Sequence, residues 1–220
     1  KCYGFLSSEL QLYYYSPWID NVPFSVCTKV QICYVRIWLC LYNYYPSLLT
    51  FYFLVILLIF PHSFYLFQLC KELPPRTVAR PWQLAYSTSR HGSSLKSLYR
   101  KLSGTDSPVL IVIKDALDEI FGAFLSHHLR PSETFYGTGE TFLFMLHPRF
   151  KCFRWTGENS FFIKGDLDSF AIGGGSGHFG LWVDENLYMG RSSPCYTFNN
   201  CCLSETDDFR IMELEVWTFS

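Results

Sequence analysis

The sequence predicts an α+β fold that is mostly β: two packed antiparallel sheets, a β-sandwich, flanked by a few helices. Three observations carry that expectation. From residue 135 to 200, short apolar and aromatic runs of strand length alternate with glycines set beside small polar residues. Aromatic and β-branched residues suit a pleated, half-buried surface, and glycine supplies the tight corners between such runs. The runs recur at close intervals down to the C-terminus, as in two stacked antiparallel sheets. Finally, the clearest helical spacing lies in one stretch, 94–102.

Two kinds of sequence meet near Cys70. Residues 1–70 hold five charged side chains (Lys1, Glu9, Asp20, Lys29, Arg36), one glycine and ten of the 15 tyrosines. The remaining charges and all but one of the 14 glycines follow. Residues 1–70 read as an apolar, aromatic-rich segment that is not a globular domain. Their Phe, Leu, Ser, Pro and Tyr are what pyrimidine-rich codons encode, which points to translated non-coding sequence upstream of a true exon. The alternative is a membrane anchor over residues 37–60. Its densest run, SLLTFYFLVILLIF, lies between Pro46 and Pro61 and is shorter than the roughly 20 apolar residues of a spanning helix. Residues 71–220 form the domain.

Net charge is −1, so no global field favours nucleic acid or an acidic membrane surface. The nine cysteines are odd in number and the later ones contain no CxxC pair. That argues against a secreted disulfide framework and for reduced thiols in an intracellular protein.

Within the domain, LPPR is a stiff entry segment. The alternating WQLAYS over 82–87 predicts a strand, and 88–92 a turn. Ser93 or Ser94 caps a helix whose Leu95, Leu98, Tyr99 and Leu102 share a face. Arg90, Lys96, Arg100 and Lys101 decorate its outside, read as a solvated surface ahead of a basic docking face. VLIVI (109–113) is apolar on both faces and predicts a buried central strand. IFGAFL (120–125) returns as its hairpin partner, with Gly122 permitting close packing or a bulge. His127 and His128 mark a surface loop, without the ligand spacing a metal needs. Further strands are predicted over 142–146, 150–155, 160–164, 169–172, 181–183, 187–189 and 209–219. In the last, Met212, Leu214 and Val216 share one face, and Ile211, Glu213, Glu215 and Trp217 the other.

Several strings imitate chemistry. Gly175–Gly180 satisfies GxGxxG, but a dinucleotide fingerprint needs a following helix, and LWVDENLYMGR reads as strand, turn, strand. A kinase-type glycine loop has no HRD or DFG downstream. Cys195 or Cys152 would serve a thiol-dependent antioxidant enzyme, given a base among His178, His147 or His91; core cysteines are the plainer reading. Glu140, between Gly139 and Thr141, is a candidate acid or, preferably, an N–H acceptor in a tight turn.

The strings LPPRT, AYSTSRHGSSLKSLYRKL, SPVLIVIKD, IFGAF, FYGTGETFLF, FKCFRWTGENSFFIKGD, GGGSG, FGLWVDENLYMGRSSPCYTFNN and LEVWTF together resemble the TLDc domain family, of oxidation-resistance and nuclear receptor coactivator type, most closely its short forms. The resemblance implies a two-sheet sandwich with no catalytic, cofactor or metal residues. It also implies a role in oxidative-stress resistance through binding and regulating the peripheral subunits of the vacuolar-type proton-pumping ATPase. Cytoplasmic and nuclear placement follows from it, with no direct nucleic-acid contact. The family's signature falls on Gly137, Gly139, Glu140, Gly173, Gly174 and Gly175, as structural or partner-binding positions. An amphipathic helix usually precedes LPPR in this family. Here the charge-free run ending FYLFQLC holds that position, which predicts a missing packing element and an exposed apolar surface.

Overall fold

The computed structural model describes residues 61–78 and 80–219. The membrane-anchor stretch 37–60, and most of the segment read as non-coding, lie outside them. Among the described residues no helix is long and apolar enough to cross a membrane.

The chain enters through helix α1 (Pro61–Glu72), and LPPR leads into the short α2 (Pro75–Val78). The compositional break at Cys70 therefore falls inside a helix, and the expected missing element is present. Tyr65, Leu69 and Leu73 recur at every fourth position and join one apolar cluster with Phe124, Phe142, Phe144, Trp217 and Phe219. Leu69 is fully buried. The stripe was illegible because Leu66, Phe67 and Cys70 between its members are apolar too.

Strand β1 (Trp82–Ser87) follows, then α3 (Thr88–His91), where the sequence predicted a plain turn. Ser87 Oγ accepts the Arg90 N–H and winds the chain into one helical turn, closed at Gly92. Helix α4 (Leu95–Leu102) is as predicted. Ser94 Oγ accepts from Ser97 N–H at its start, and Leu95, Leu98 and Leu102 are buried.

Strands β2 (Val109–Asp115), β3 (Ile120–Leu125), β4 (Phe142–His147) and β5 (Lys151–Phe153) run as a meander. Then come β6 (Ile163–Gly165), β7 (Ser169–Ile172), β8 (Leu181–Asp184), β9 (Met189–Arg191) and the long β10 (Asp208–Phe219). All pairings are antiparallel. One layer runs β1-β10-β2-β3-β4-β5 and the other β10-β9-β8-β7-β6. Both belong to one continuous path, because Asp208–Arg210 of β10 pairs with β9 while the residues beyond pair with β2.

Ile111, Ile113, Phe121 and Leu143 from the first layer pack with Ile163, Phe170, Ile172, Leu181 and Val183 from the second. On the other face of β2, Leu110 and Val112 pack in the α1 cluster. VLIVI is thus buried on both sides, as its composition predicts. A Cβ on Gly122 would collide with the Ile111 carbonyl, which explains a glycine mid-strand.

Three strands have clearly different bounds from the sequence reading, two of them for a local reason, and one strand differs in its faces. Asn159 Oδ1 accepts from Phe161 N–H, a turn that delays β6 to residue 163. Asp184 Oδ1 accepts from Tyr188 and Met189 N–H, and this turn moves β9 to 189–191. Strand β5 is shorter than predicted, three residues against β4. In β10 the register against β2 shifts between Ile211 and Glu213. The bulge turns Met212 outward, 60% exposed, and puts Ile211 in the core beside Leu214 and Val216. Strict alternation assigned those two residues to the wrong faces. Glu215 is also buried, where it accepts from Trp217 Nε1–H at 3.1 Å.

Leu69→Ala is expected to lower the unfolding free energy by about 2–5 kcal/mol, as for a buried leucine. Met212→Ala should change it by less than about 0.5 kcal/mol. Urea denaturation of the two variants measures both.

Candidate functional site

The signature positions come from two segments that pack on a third. Residues 135–140 precede β4, residues 173–177 follow β7, and both lie against the 154–162 connection between β5 and β6. A Cβ on Gly139 would run into the Trp155 ring, and one on Gly137 would sit 3.0 Å from Ile163 Cδ1. Gly174 faces Phe135 and Phe161 at 3.6 Å. Gly137, Gly173 and Gly175 carry the strict backbone demand: φ is +103°, +75° and +104°, in a region that side chains rarely adopt. A Cβ at Gly173 would also lie 2.7 Å from Phe198 and 2.8 Å from Cys195 Sγ; at Gly175, 2.6 Å from Asn159 Nδ2.

Two residues the sequence reading passed over tie these segments together. Thr197, fully buried, accepts from Gly174 N–H at 2.9 Å and donates to Asn159 Oδ1 at 2.8 Å. Trp155 Nε1–H donates to Asn159 O at 2.7 Å, and Thr156 Oγ1 to Tyr196 O at 2.7 Å. Polar residues flanked by glycine and aromatics, in TGENS and YTFNN, were the available signal. Around this knot Trp155, Phe161 and Tyr196 remain 45%, 41% and 57% exposed. The Trp155 ring lies on Gly139 and Phe162 and the Phe161 ring on Phe135, and what they leave exposed with Tyr196 is an apolar rim with polar edges.

Glu140 is neither a turn acceptor nor set against another acid. Its carboxylate pairs with Arg76, just past LPP, and both side chains stay substantially exposed. Arg76 also donates to Ser126 O at 3.2 Å. The turn itself closes through Thr141 N–H to Thr138 O. A second exposed pair, Arg154 with Glu72, joins α1 to the end of β5. Arg76 and Glu140 stand 64 residues apart, so no spacing rule could join them.

The glycine string 175–180 lies between β7 and β8, and β8 follows it directly. Cys195 is 2% exposed in the inter-sheet core, its thiol 3.2 Å from Asn200 Oδ1. His91 instead accepts from Ser87 N–H and stacks on Tyr86; His178 is exposed. Cys152 lies on the other side of the same sheet, in the α1 cluster, so the two thiols do not meet. Burial pushes Cys152 up to about 12, with the nearby Glu72 carboxylate adding to the rise. Burial raises Cys195 also, against hydrogen bonds from Phe198 and Thr197. The five described cysteines are all free thiols. Among the described residues no three His, Cys, Asp or Glu converge as a metal cluster would require.

Gly173→Ala is expected to cost at least about 1–3 kcal/mol from positive-φ strain alone, seen as a lowered denaturation midpoint. Glu140→Gln removes only an exposed pair and should cost under about 1 kcal/mol by the same measurement.

Comparison with known proteins gives a consistent result. The family model described as the TLDc domain matches residues 62–220. Oxidation resistance protein 1 of Xenopus tropicalis is 57% identical over 152 residues, covering 69% of this chain and 18% of that protein. Nuclear receptor coactivator 7 of Mus musculus is 55% identical over 164 residues, covering 72% and 17%. Oxidation resistance protein 1 of Homo sapiens is 56% identical over 152 residues, covering 69% and 17%. The chain thus spans less than a fifth of the length of these relatives. The match begins at residue 62, at the start of α1, and takes in the sandwich and its glycine-framed rim. On that match this chain belongs to the TLDc domain family.

Proposed function

We propose that this chain is a non-catalytic TLDc binding module acting in oxidative-stress resistance, in cytoplasm and nucleus. It acts by engaging a protein partner, the peripheral subunits of the vacuolar-type proton-pumping ATPase. The observation that carries the reading is the clamped aromatic rim. Trp155, Phe161 and Tyr196 stand half-exposed on segments locked by Thr197, Asn159 and glycines. Aromatics held half-exposed on a rigid frame bury large area at small entropic cost, which is how protein interfaces concentrate binding energy. The names of the relatives supply the stress-resistance context, and the family resemblance supplies the pump.

The thiol-enzyme alternative needs an accessible cysteine with a lowered pKa. Burial moves Cys152 and Cys195 the other way. Cys152→Ser and Cys195→Ser are therefore expected to leave peroxide consumption at the uncatalysed background, as measured by peroxide-electrode traces.

Capture of the pump's peripheral sector by the purified chain tests the main reading. Trp155→Ala/Phe161→Ala/Tyr196→Ala should weaken capture by about tenfold or more, while near-ultraviolet circular dichroism reports an intact core. Absent capture by the wild-type chain, beside a family member that does bind, would falsify the proposal.

A further inference from the structure

Helix α4 runs against two rules of helix electrostatics in its first half, although Arg100 and Lys101 suit the negative pole at its last turn. Its first turn carries Lys96 and no acidic residue, although the amide end of a helix is its positive pole and repels a cation. Lys96 and Arg100 stand at i, i+4 on its exposed face, a spacing at which like charges repel. Lys101 adds a third exposed charge, and Arg90 on α3 a fourth.

Among the described residues eight other surface cations are engaged, whereas Arg80 and Arg149 are not. Arg76, Lys114, Arg154, Lys164 and Arg191 each pair with a carboxylate. Arg130, Lys151 and Arg210 lie over aromatic rings. Among the described residues Arg90, Lys96, Arg100 and Lys101 have no such partner. Of the carboxylates on adjoining elements, Glu213 accepts from Ser89 N–H, Asp166 pairs with Lys164, and Asp168 accepts from Ser169 Oγ–H. Glu185, beside the first turn, forms no ion pair with these cations.

The helix cannot relieve its charges by tilting. Leu95, Leu98 and Leu102 are sunk in the inter-sheet core, Leu95 N–H donates to Glu185 O, and Tyr99 Oη–H reaches Asp166 O at 2.9 Å. Like charges crowded without ion pairs, with Lys96 at the unfavourable pole of a helix locked in place, mark a surface shaped by something outside the molecule.

We infer that the exposed face of α4, formed by Lys96, Arg100 and Lys101 with Arg90 beside it, docks an acidic segment of a protein partner. This rests on the reading of the chain as a partner-binding module and adds a second contact. The aromatic rim adjoins the Ile163–Ile172 end of the β6–β7 hairpin, whereas Tyr99 of α4 bonds its 166–169 turn. A membrane fits worse, because every leucine of α4 points inward and none is free to insert. Duplex nucleic acid fits worse as well: its specific binders neutralise about 6–10 phosphates, on a chain here of net charge −1.

The test compares the whole chain with Lys96→Gln/Arg100→Gln/Lys101→Gln and with Arg149→Gln, a charge-removal control elsewhere on the surface. Capture of the peripheral pump sector should fall by about tenfold in the triple variant and stay unchanged in the control. Wild-type capture should weaken as salt rises from about 50 to about 300 mM. Equal capture by wild type and triple variant overturns the inference. If wild type itself fails to capture the sector, the proposed function falls, and a fluorescent glutamate-rich peptide decides this inference separately. Salt-sensitive peptide binding lost in the triple variant supports it; no binding, or tighter binding to phosphatidylserine vesicles or duplex DNA, overturns it. Lys96→Glu, which removes both penalties and adds a Glu–Arg pair at i, i+4, should raise Tm by about 1–3 °C. A fall in Tm would refute the premise that Lys96 is costly where it stands.

Discussion

Strand β10 is hydrogen-bonded through its first residues to β9 and through the rest to β2 and β1, so the two layers share one backbone. A bulge between Ile211 and Glu213 marks the changeover. An extra residue at that point adds local twist and lets one strand serve two sheet planes. The consequence is topological as well as energetic. The C-terminal strand is central in the first layer, between β1 and β2, so both layers are completed only by the last residues of the chain. Such non-local pairing carries a loop-closure cost before it yields contacts.

Given that frame, the signature glycines act through what they let approach. Gly139 admits the Trp155 ring, Gly173 admits Phe198 and Cys195, and Gly175 admits Asn159 and Tyr196. Each contact brings the 154–162 connection or the 195–200 segment down onto a sheet end. Thr197 and Asn159 then satisfy the buried polar groups that such close backbone approach creates, as any interior polar group requires. The surface result is a set of aromatics whose positions are set from beneath.

The outer face of the first layer depends on α1 in the same way. Phe124, Phe142, Phe144 and Trp217 form a broad apolar surface, and Leu69 and Leu73 cover it. Two exposed ion pairs, Glu72 with Arg154 and Arg76 with Glu140, flank that cover. Apolar burial holds the helix down, at about 25 cal/mol per Å², and surface pairs contribute little beyond register. Cover and rim are therefore coupled: the chain leaving α1 supplies Arg76 to the residue next to Gly139.

Much of this was legible in the residues alone. Alternation and apolar runs located β1, β2, β3 and β7 closely, and the leucine spacing with Ser94 located α4, because those patterns depend on neighbours along the chain. The glycines announced close approach, and the strand–turn–strand after Gly180 argued against a dinucleotide loop. What the chain could not announce arose from contacts distant in sequence. The face of Ile211 depended on a bulge against β2, the role of Glu140 on Arg76, and the value of Asn159 on Thr197. The stripe of α1 emerged only when the aromatic surface beneath it existed to choose which apolar residues were buried. Local periodicity determined the elements, and tertiary structure decided partners and faces, because hydrogen bonds and burial are settled in space, where residues scores of positions apart become neighbours.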